Sequence, residues 1–181
     1  MLIEWLTDQP ESLPIQCALS TWRHHQDDRW LVLVNPPHRP CAEALLQQGL
    51  NIQRVDCIQA ADTESAWCLE QLAQSACIAS IVAWRTASYH NTQLRRLQLA
   101  CQQGQTQLFL VRENATRTQA SPAPVRAQLH QDQDRFAVEV FKQPGASAKP
   151  PVWTSHALEW IHATPPAQRK STTIKARSDV H

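Results

Sequence analysis

Short apolar runs alternate with amphipathic segments through the first two thirds of the chain. Such runs, four to eight residues long, are typical of strands that are covered on both faces, as in a parallel sheet. Pro36 and Pro37 follow the first run, where a residue without an N–H cannot continue a strand ladder. The runs that predict strands are Trp30–Val34, Val55–Ile58, Ile78–Trp84 and residues 105–112.

Helical periodicity fills the segments between these runs. Apolar residues recur at spacings of three and four in the predicted helices, and Gly49 and Gly104 stand where a glycine commonly ends a helix. Because strands and helices alternate, the expected fold is α/β, with a mostly parallel sheet that is flanked by helices on both faces. The predicted helices cover residues 13–25, 41–48, 62–75 and 89–103.

The pattern changes after Arg112. Residues 125–130 and 136–141 alternate between apolar and polar around a polar turn, which predicts an antiparallel hairpin at the edge of the sheet. From residue 143 onward, Pro, Ala, Ser, Thr and Lys predominate, so we expect a domain over residues 1–143 and a largely disordered tail over 144–181.

Two tryptophans, Trp153 and Trp160, interrupt the polar background of that tail within segment 153–162. Apolar anchors in a disordered tail are typical of a partner-binding segment. The alternative is that the segment folds back onto the domain, and the sequence leaves both open.

Composition narrows the functional classes. The 181 residues are 43% hydrophobic with a formal net charge of +1, which suits one core and no strong overall attraction to DNA or acidic lipid. Glu4 lies within an N-terminus that does not resemble a secretion signal, and no apolar run approaches the roughly 20 residues of a membrane span. We therefore expect a cytoplasmic protein whose six cysteines are small buried thiols.

Catalytic and cofactor motifs are weak. The three glycines, Gly49, Gly104 and Gly145, do not form a phosphate-binding loop, so no nucleotide cofactor is expected. The residues His156, Glu159 and His162 have metal-like spacing but lack a second set of ligands, so no metal is expected. A small enzyme that uses His38 and Cys41 is an alternative, but no third residue orients that pair, and we expect no catalytic site.

Trp84 and Arg85 are the first candidates for a binding site. They lie at the carboxyl end of a predicted strand, where open α/β sheets place ligand and partner loops. Both residue types are enriched at binding hot spots, although Trp84 in a purely structural role would cap the core. Further basic candidates are Arg95 and Arg96, which lie off the apolar face of the predicted helix at 89–103, and Arg39, Arg54 and Arg112 near predicted element ends. These could contact phosphate, but 16 acidic residues balance 17 basic ones, which favours an ordinary solvated surface.

Five stretches in residues 30–112 together resemble the SulA/ImuA family of bacterial SOS-response proteins. In order they read WLVLVNPP, ALLQQGLNIQRV, IVAW, LRRLQLACQQG and LFLVR. The resemblance implies a RecA-like fold that lacks the ATP-binding loop. SulA-like members bind FtsZ and block cell division. ImuA-like members act in mutagenic bypass with ImuB, an inactive Y-family polymerase relative, with a DnaE-type polymerase, and in connection with RecA.

The sequence after Arg112 helps to distinguish the SulA-like branch of the family from the ImuA-like branch. SulA-like chains tend to end soon after the strand at 105–112, whereas residues 121–129 and 136–142 are similar to the ImuA extension. The resemblance thus favours an ImuA-like accessory factor of translesion DNA synthesis, with a SulA-like division inhibitor as the alternative. By similarity to the FtsZ-facing surface of SulA-like proteins, Trp84, Arg39 and Arg54 are partner-binding candidates. Arg85 stands where leucine is common.

Overall fold

The fold is seen in a computed structural model that describes residues 1–9, 28–47, 49–84, 89–132, 135–145 and 152–154. For residues 131, 132, 135, 136 and 152–154 it describes the backbone only. The predicted helix at 13–25 and the candidates Arg85 and Trp160 lie outside these ranges.

One sheet of eight strands forms the frame of the described chain. Its strands are β1 (Leu2–Thr7), β2 (Trp30–Val34), β3 (Val55–Ile58), β4 (Ile78–Trp84), β5 (Gln107–Glu113), β6 (Val125–Asp132), β7 (Arg135–Lys142) and β8 (Val152–Thr154). Their spatial order is β3-β2-β4-β5-β1-β6-β7-β8. Every pair from β3 to β6 is parallel, and the pairs β6–β7 and β7–β8 are antiparallel. The predicted parallel sheet with an antiparallel hairpin is confirmed.

Strand β1 is the element that the sequence pattern missed. It lies between β5 and β6, with Ile3 opposite both Phe109 and Val125, and all six of its residues are buried. A charged residue, Glu4, interrupts its apolar run, and this concealed a strand that lies inside the sheet.

Three α-helices are described: α1 (Ala42–Gln47), α2 (Asp62–Gln74) and α3 (Asn91–Gln103). The helices α2 and α3 cover one face of the sheet and bury Leu69, Leu94 and Leu97 against it. On the opposite face, Leu45 of α1 packs against a second apolar core. Helices therefore flank both faces, as the sequence predicts.

Gly104 ends α3 for a reason that the sequence did not indicate. Its φ of −83° is open to any residue, but a Cβ there would lie 2.1 Å from the carbonyl oxygen of Ala73 in α2. Glycine is required because the ends of the two helices touch. The left-handed conformation falls instead on Gln105, with φ of 52°, whereas Gly49 after α1 has the expected positive φ of 75°.

Strand β8 joins the sheet, with Trp153 opposite Ala137, which agrees at residues 152–154 with the alternative that the segment folds back onto the domain. One further expectation needs correction. Of the five cysteines that the structure describes, all free thiols, only Cys101 is buried, so buried thiols were predicted wrongly for the exposed ones. Within the described ranges, no helix has both the length and the apolar character needed to cross a membrane.

Candidate functional site

Trp84, the first predicted site residue, belongs to the core. It is the last residue of β4, and only 6% of it is exposed. It belongs to the apolar cluster on the face opposite α2 and α3, together with Trp5, Leu33 and Phe109. The expectation of an exposed tryptophan was wrong, and the alternative, a residue that caps the core, fits the burial.

The two basic candidates near β2 and β3 lie at opposite ends of the sheet. Arg39 is exposed beyond the carboxyl end of β2. Arg54 directly precedes β3, with its guanidinium 5.6 Å from the centroid of the Trp30 ring and 3.8 Å from the carboxylate of Asp28. Because parallel strands share one direction, Arg54 lies at the amino end and Trp84 at the carboxyl end. The structure does not bring Trp84, Arg39 and Arg54 into one patch.

The candidates Arg95 and Arg96 are exposed on α3, away from the face on which Trp84 packs. Arg96 reaches across to α2, where its guanidinium lies 2.7 Å from the Glu70 carboxylate. A shallow cavity of about 190 Å³ lies beside this ion pair. Its lining consists of Thr63, Ala66, Trp67, Glu70, Gln93 and Arg96.

Sequence reasoning overlooked Trp67, which is 64% exposed beside this cavity. In the sequence of the predicted helix at 62–75, Ala66, Leu69, Leu72 and Ala73 recur at helical spacing and predict the apolar stripe of its inner face. A tryptophan outside such a stripe must face solvent or a partner. That position was the signal that could have found it.

Glu4 is the centre of a buried ion cluster that no local sequence pattern indicates. Arg112 donates to one carboxylate oxygen at 2.8 Å, and Arg126 donates to the other at 2.6 Å. Glu4 is fully buried, and the side chains of Arg112 and Arg126 are 4% and 6% exposed. The suggestion that Arg112 could contact phosphate was therefore wrong.

Arg126 also holds the segment that follows β5. Its guanidinium donates to the carbonyl oxygens of Thr116, Arg117 and Gln119 at 2.9, 3.2 and 3.1 Å. The polar segment between β5 and β6 is thereby attached to a strand in the middle of the sheet.

Arg117 continues the cluster to the surface. It donates to both carboxylate oxygens of Glu139 at 2.7 and 2.9 Å, donates to Gln128, and lies over the Phe141 ring at 4.5 Å. The hydrogen bonds from Arg117 lower the pKa of Glu139 to about 2. We call the five residues Glu4, Arg112, Arg117, Arg126 and Glu139 the polar ladder.

The polar ladder is suited to holding structure together. Both oxygens of Glu4 accept from guanidinium groups, which do not give up a proton in proteins.

Elsewhere, the Cys41 thiol lies 3.1 Å from the Glu43 carboxylate and hydrogen-bonds to it. In the described ranges, no three His, Cys, Asp or Glu side chains group as metal ligands. The residues His156, Glu159 and His162 lie outside those ranges.

The comparisons with known proteins bear on the fold. No protein-family model matches the chain, and no curated protein sequence matches it. The RadB recombinase has a similar structure, with a TM-score of 0.60 and 12% identity over 85% of this chain and 87% of RadB. This likeness confirms the RecA-like fold. SulA from Pseudomonas aeruginosa is also similar, with a TM-score of 0.48 and 23% identity over 62% of this chain and 98% of SulA.

Proposed function

We propose that the chain is a binding protein of the bacterial SOS response that acts without catalysis of its own. More specifically, we propose an ImuA-like accessory factor of error-prone translesion DNA synthesis. The resemblance of residues 30–112 to the SulA/ImuA family supports a role in the SOS response. The stretches at 121–129 and 136–142 support the ImuA-like branch of that family, because they are similar to the extension of ImuA-like members.

The position of that extension supports the proposal. Strand β6 pairs with β1, with Arg126 opposite Glu4, and the two side chains form an ion pair in the core. A chain that ended after β5 would leave Glu4 with Arg112 alone and would uncover one side of β1. The ImuA-like stretch is thus an integral part of the sheet.

The proposed partners are an ImuB-like inactive Y-family polymerase and RecA. Arg39 at the carboxyl edge and Arg95 and Arg96 on α3 are exposed and able to meet a partner. Arg85 and the 153–162 segment with Trp160 are further proposed contacts. Any contact with DNA is proposed to be indirect or weak, because the net charge is only +1.

The chain is also proposed to bind no ATP. Each glycine has another role in the fold: Gly49 and Gly145 have φ of 75° and 72°, and Gly104 allows two helices to touch. Residues 8–15, which follow β1, contain no glycine. We expect no saturable binding of a fluorescent ATP analogue at micromolar protein, and a saturable isotherm would contradict this part of the proposal.

Complementation of damage-induced mutagenesis in cells that lack the protein tests the function. Deletion of residues 155–181 removes none of the described strands, so the melting temperature should be unchanged while mutagenesis and capture of the ImuB-like partner are lost. Deletion of residues 163–181 is the matched control. It keeps the 153–162 segment, and it should retain both activities.

A SulA-like division inhibitor that binds FtsZ is the second candidate, because both branches share the resemblance over residues 30–112. The two differ when the protein is overproduced. The ImuA-like proposal expects normal cell length. Filamentation that persists after deletion of 155–181 and is suppressed by FtsZ variants would overturn it in favour of the SulA-like function.

A further inference from the structure

The outer surface of α2 and α3 carries two large apolar side chains that no described element covers. Trp67 of α2 is 64% exposed and Leu99 of α3 is 57% exposed. Single exposed apolar residues are common, but an exposed tryptophan that lines a cavity, with an exposed leucine on the neighbouring helix, is typical of an interaction surface. We call the exposed side of these two helices the helix face.

Charge divides the helix face between its two helices. Helix α2 contains Asp62, Glu64 and Glu70 and no basic residue. Helix α3 contains Arg95 and Arg96 and no acidic residue. Because Glu70 and Arg96 form an ion pair with each other within the chain, the contact with a partner depends on Glu64 of α2 and Arg95 of α3. A partner of uniformly negative or positive charge would complement one helix and repel the other. The partner surface that fits therefore has an acidic and a basic helix side by side. Its basic helix faces α2, and its acidic helix faces α3.

The topology gives this chain such a surface in a second copy of itself. Helix α2 leads from β3 to β4 and α3 from β4 to β5, and these strands belong to the parallel part of the sheet. Both helices therefore run opposite to the strands and parallel to each other. A two-fold axis along the helices and between them places α2 of one copy against α3 of the other. A two-fold axis across the helices would instead place acidic α2 against acidic α2.

We propose that the helix face binds a second copy of this chain about that lengthwise two-fold axis. Two-fold symmetry forms each contact twice. Glu64 and Trp67, the third and sixth residues of α2, face Arg95, the fifth residue of α3, in the second copy. The guanidinium then pairs with a carboxylate and stacks on an indole ring, a favourable arrangement for a cation.

The size of the face sets the strength of the dimer. Two helices of 13 residues are each about 20 Å long and together about 20 Å wide, which gives roughly 400 Å² on each copy. Stable complexes commonly bury about 800 Å² on each partner, so a reversible, concentration-dependent dimer is expected.

Reversing the charges of Arg95 and Glu64 tests the proposal. Sedimentation equilibrium on the full chain, over a wide concentration range, measures how much of each variant is dimeric. The wild type should form dimers, whereas Arg95→Glu and Glu64→Lys should each be monomeric, because each places like charges opposite one another. An equimolar mixture of the two variants should form heterodimers, since one contact is native and the other is reversed in sign. Trp67→Ala should raise the dimer dissociation constant at least tenfold.

The controls separate the helix face from general charge effects. Lys142→Glu changes the charge by the same amount as Arg95→Glu at the end of β7, and it should dimerise like the wild type. Circular dichroism should show all variants folded, because the altered side chains are exposed. A monomeric wild type, an Arg95→Glu dimer of unchanged affinity, or a mixture that stays monomeric would each overturn the proposal. The proposed SOS function also counts Arg95 among its partner contacts, so dimerisation and that partner would compete for the helix face. The two proposals still fail separately, since a chain that does not restore mutagenesis can dimerise and a monomeric chain can restore it.

Discussion

Two halves of the sheet are covered on the same face by different means. Over β2, β4 and β5, the helices α2 and α3 bury leucine side chains against apolar strand residues. Over β1, β6 and β7, the polar ladder joins the strands to the segment between β5 and β6. Strand alternation places Glu4 on the same face as Leu2, which belongs to the core beneath the helices. The first half depends on apolar burial and the second on directional contacts that need every partner.

Glu4→Ala should have the largest effect, because it leaves the buried charges of Arg112 and Arg126 without a counterion. Removing one partner of a buried ion pair costs about 3–5 kcal/mol of unfolding free energy. Urea denaturation at neutral pH measures this loss.

A triple variant sharpens this test of the polar half. Replacing Glu4 with leucine and both Arg112 and Arg126 with methionine removes all three charges together and should recover part of the stability that Glu4→Ala loses. The recovery should be incomplete, because the carbonyl oxygens of Thr116, Arg117 and Gln119 lose their donor Arg126. A Glu4→Ala variant of wild-type stability would show that water or a neighbouring group compensates the two arginines. The comparison between the halves would then fail.

Leu97→Ala addresses the apolar half. The side chain is 1% exposed between α3 and the sheet, so its truncation should cost about 3 kcal/mol through lost burial and a residual cavity. The loss should be the same at low and high salt, because no charge is involved. A salt-dependent loss, measured by urea denaturation in both conditions, would contradict the division into two halves.

The outer end of the polar ladder should show a smaller, pH-dependent effect. Arg117 lowers the pKa of Glu139 from 4.5 to about 2. A carboxyl group with a lower pKa in the folded state stabilises the fold above its unfolded pKa, and this stabilisation is lost as the pH falls from 4.5 towards 2. Since the Arg117 side chain is 38% exposed, the contribution should be only about 0.5–1 kcal/mol.

Arg117→Gln removes this contribution. The variant should be less stable at neutral pH, and its stability should fall less steeply than that of the wild type between pH 4.5 and about 2. Thermal melting across that pH range measures the difference. Parallel curves for the two proteins would show that the pair contributes nothing to stability.

The sequence predicted the strands of the apolar half and the β6–β7 hairpin correctly, but it missed β1 and the ion pairs of the polar ladder. Strands β2 and β4 were predicted correctly because apolar runs of this length indicate buried strands. Helices α2 and α3 were predicted correctly because their inward leucines recur at helical spacing. Strand β1 was missed because Glu4 becomes compatible with a core only once Arg112 and Arg126 meet it. Those residues lie 108 and 122 positions away, beyond the reach of any local pattern.

Among the candidate site residues, too, the sequence predicted positions that depend on a local pattern and missed those that depend on distant elements. The exposed positions of Arg95 and Arg96 followed from the helical period of α3. The burial of Trp84 did not follow, because the residues that surround it come from other strands. The role of Gly104 in the approach of two helices likewise depends on Ala73, which lies in a different element.

The position of β1 between β5 and β6 has a consequence for biosynthesis. The residues Glu4 and Arg126 are 122 positions apart, so β1 leaves the ribosome well before the strand that completes its pairing. At 5–20 residues per second, that interval is on the order of 10 s. For most of this time the apolar segment at the future centre of the sheet has no partner strand, because β5, the first of its two partners, begins only at Gln107. The charge of Glu4 should favour hydration of the segment during that time. The residue that binds the finished sheet together would thus also protect the nascent chain from premature association.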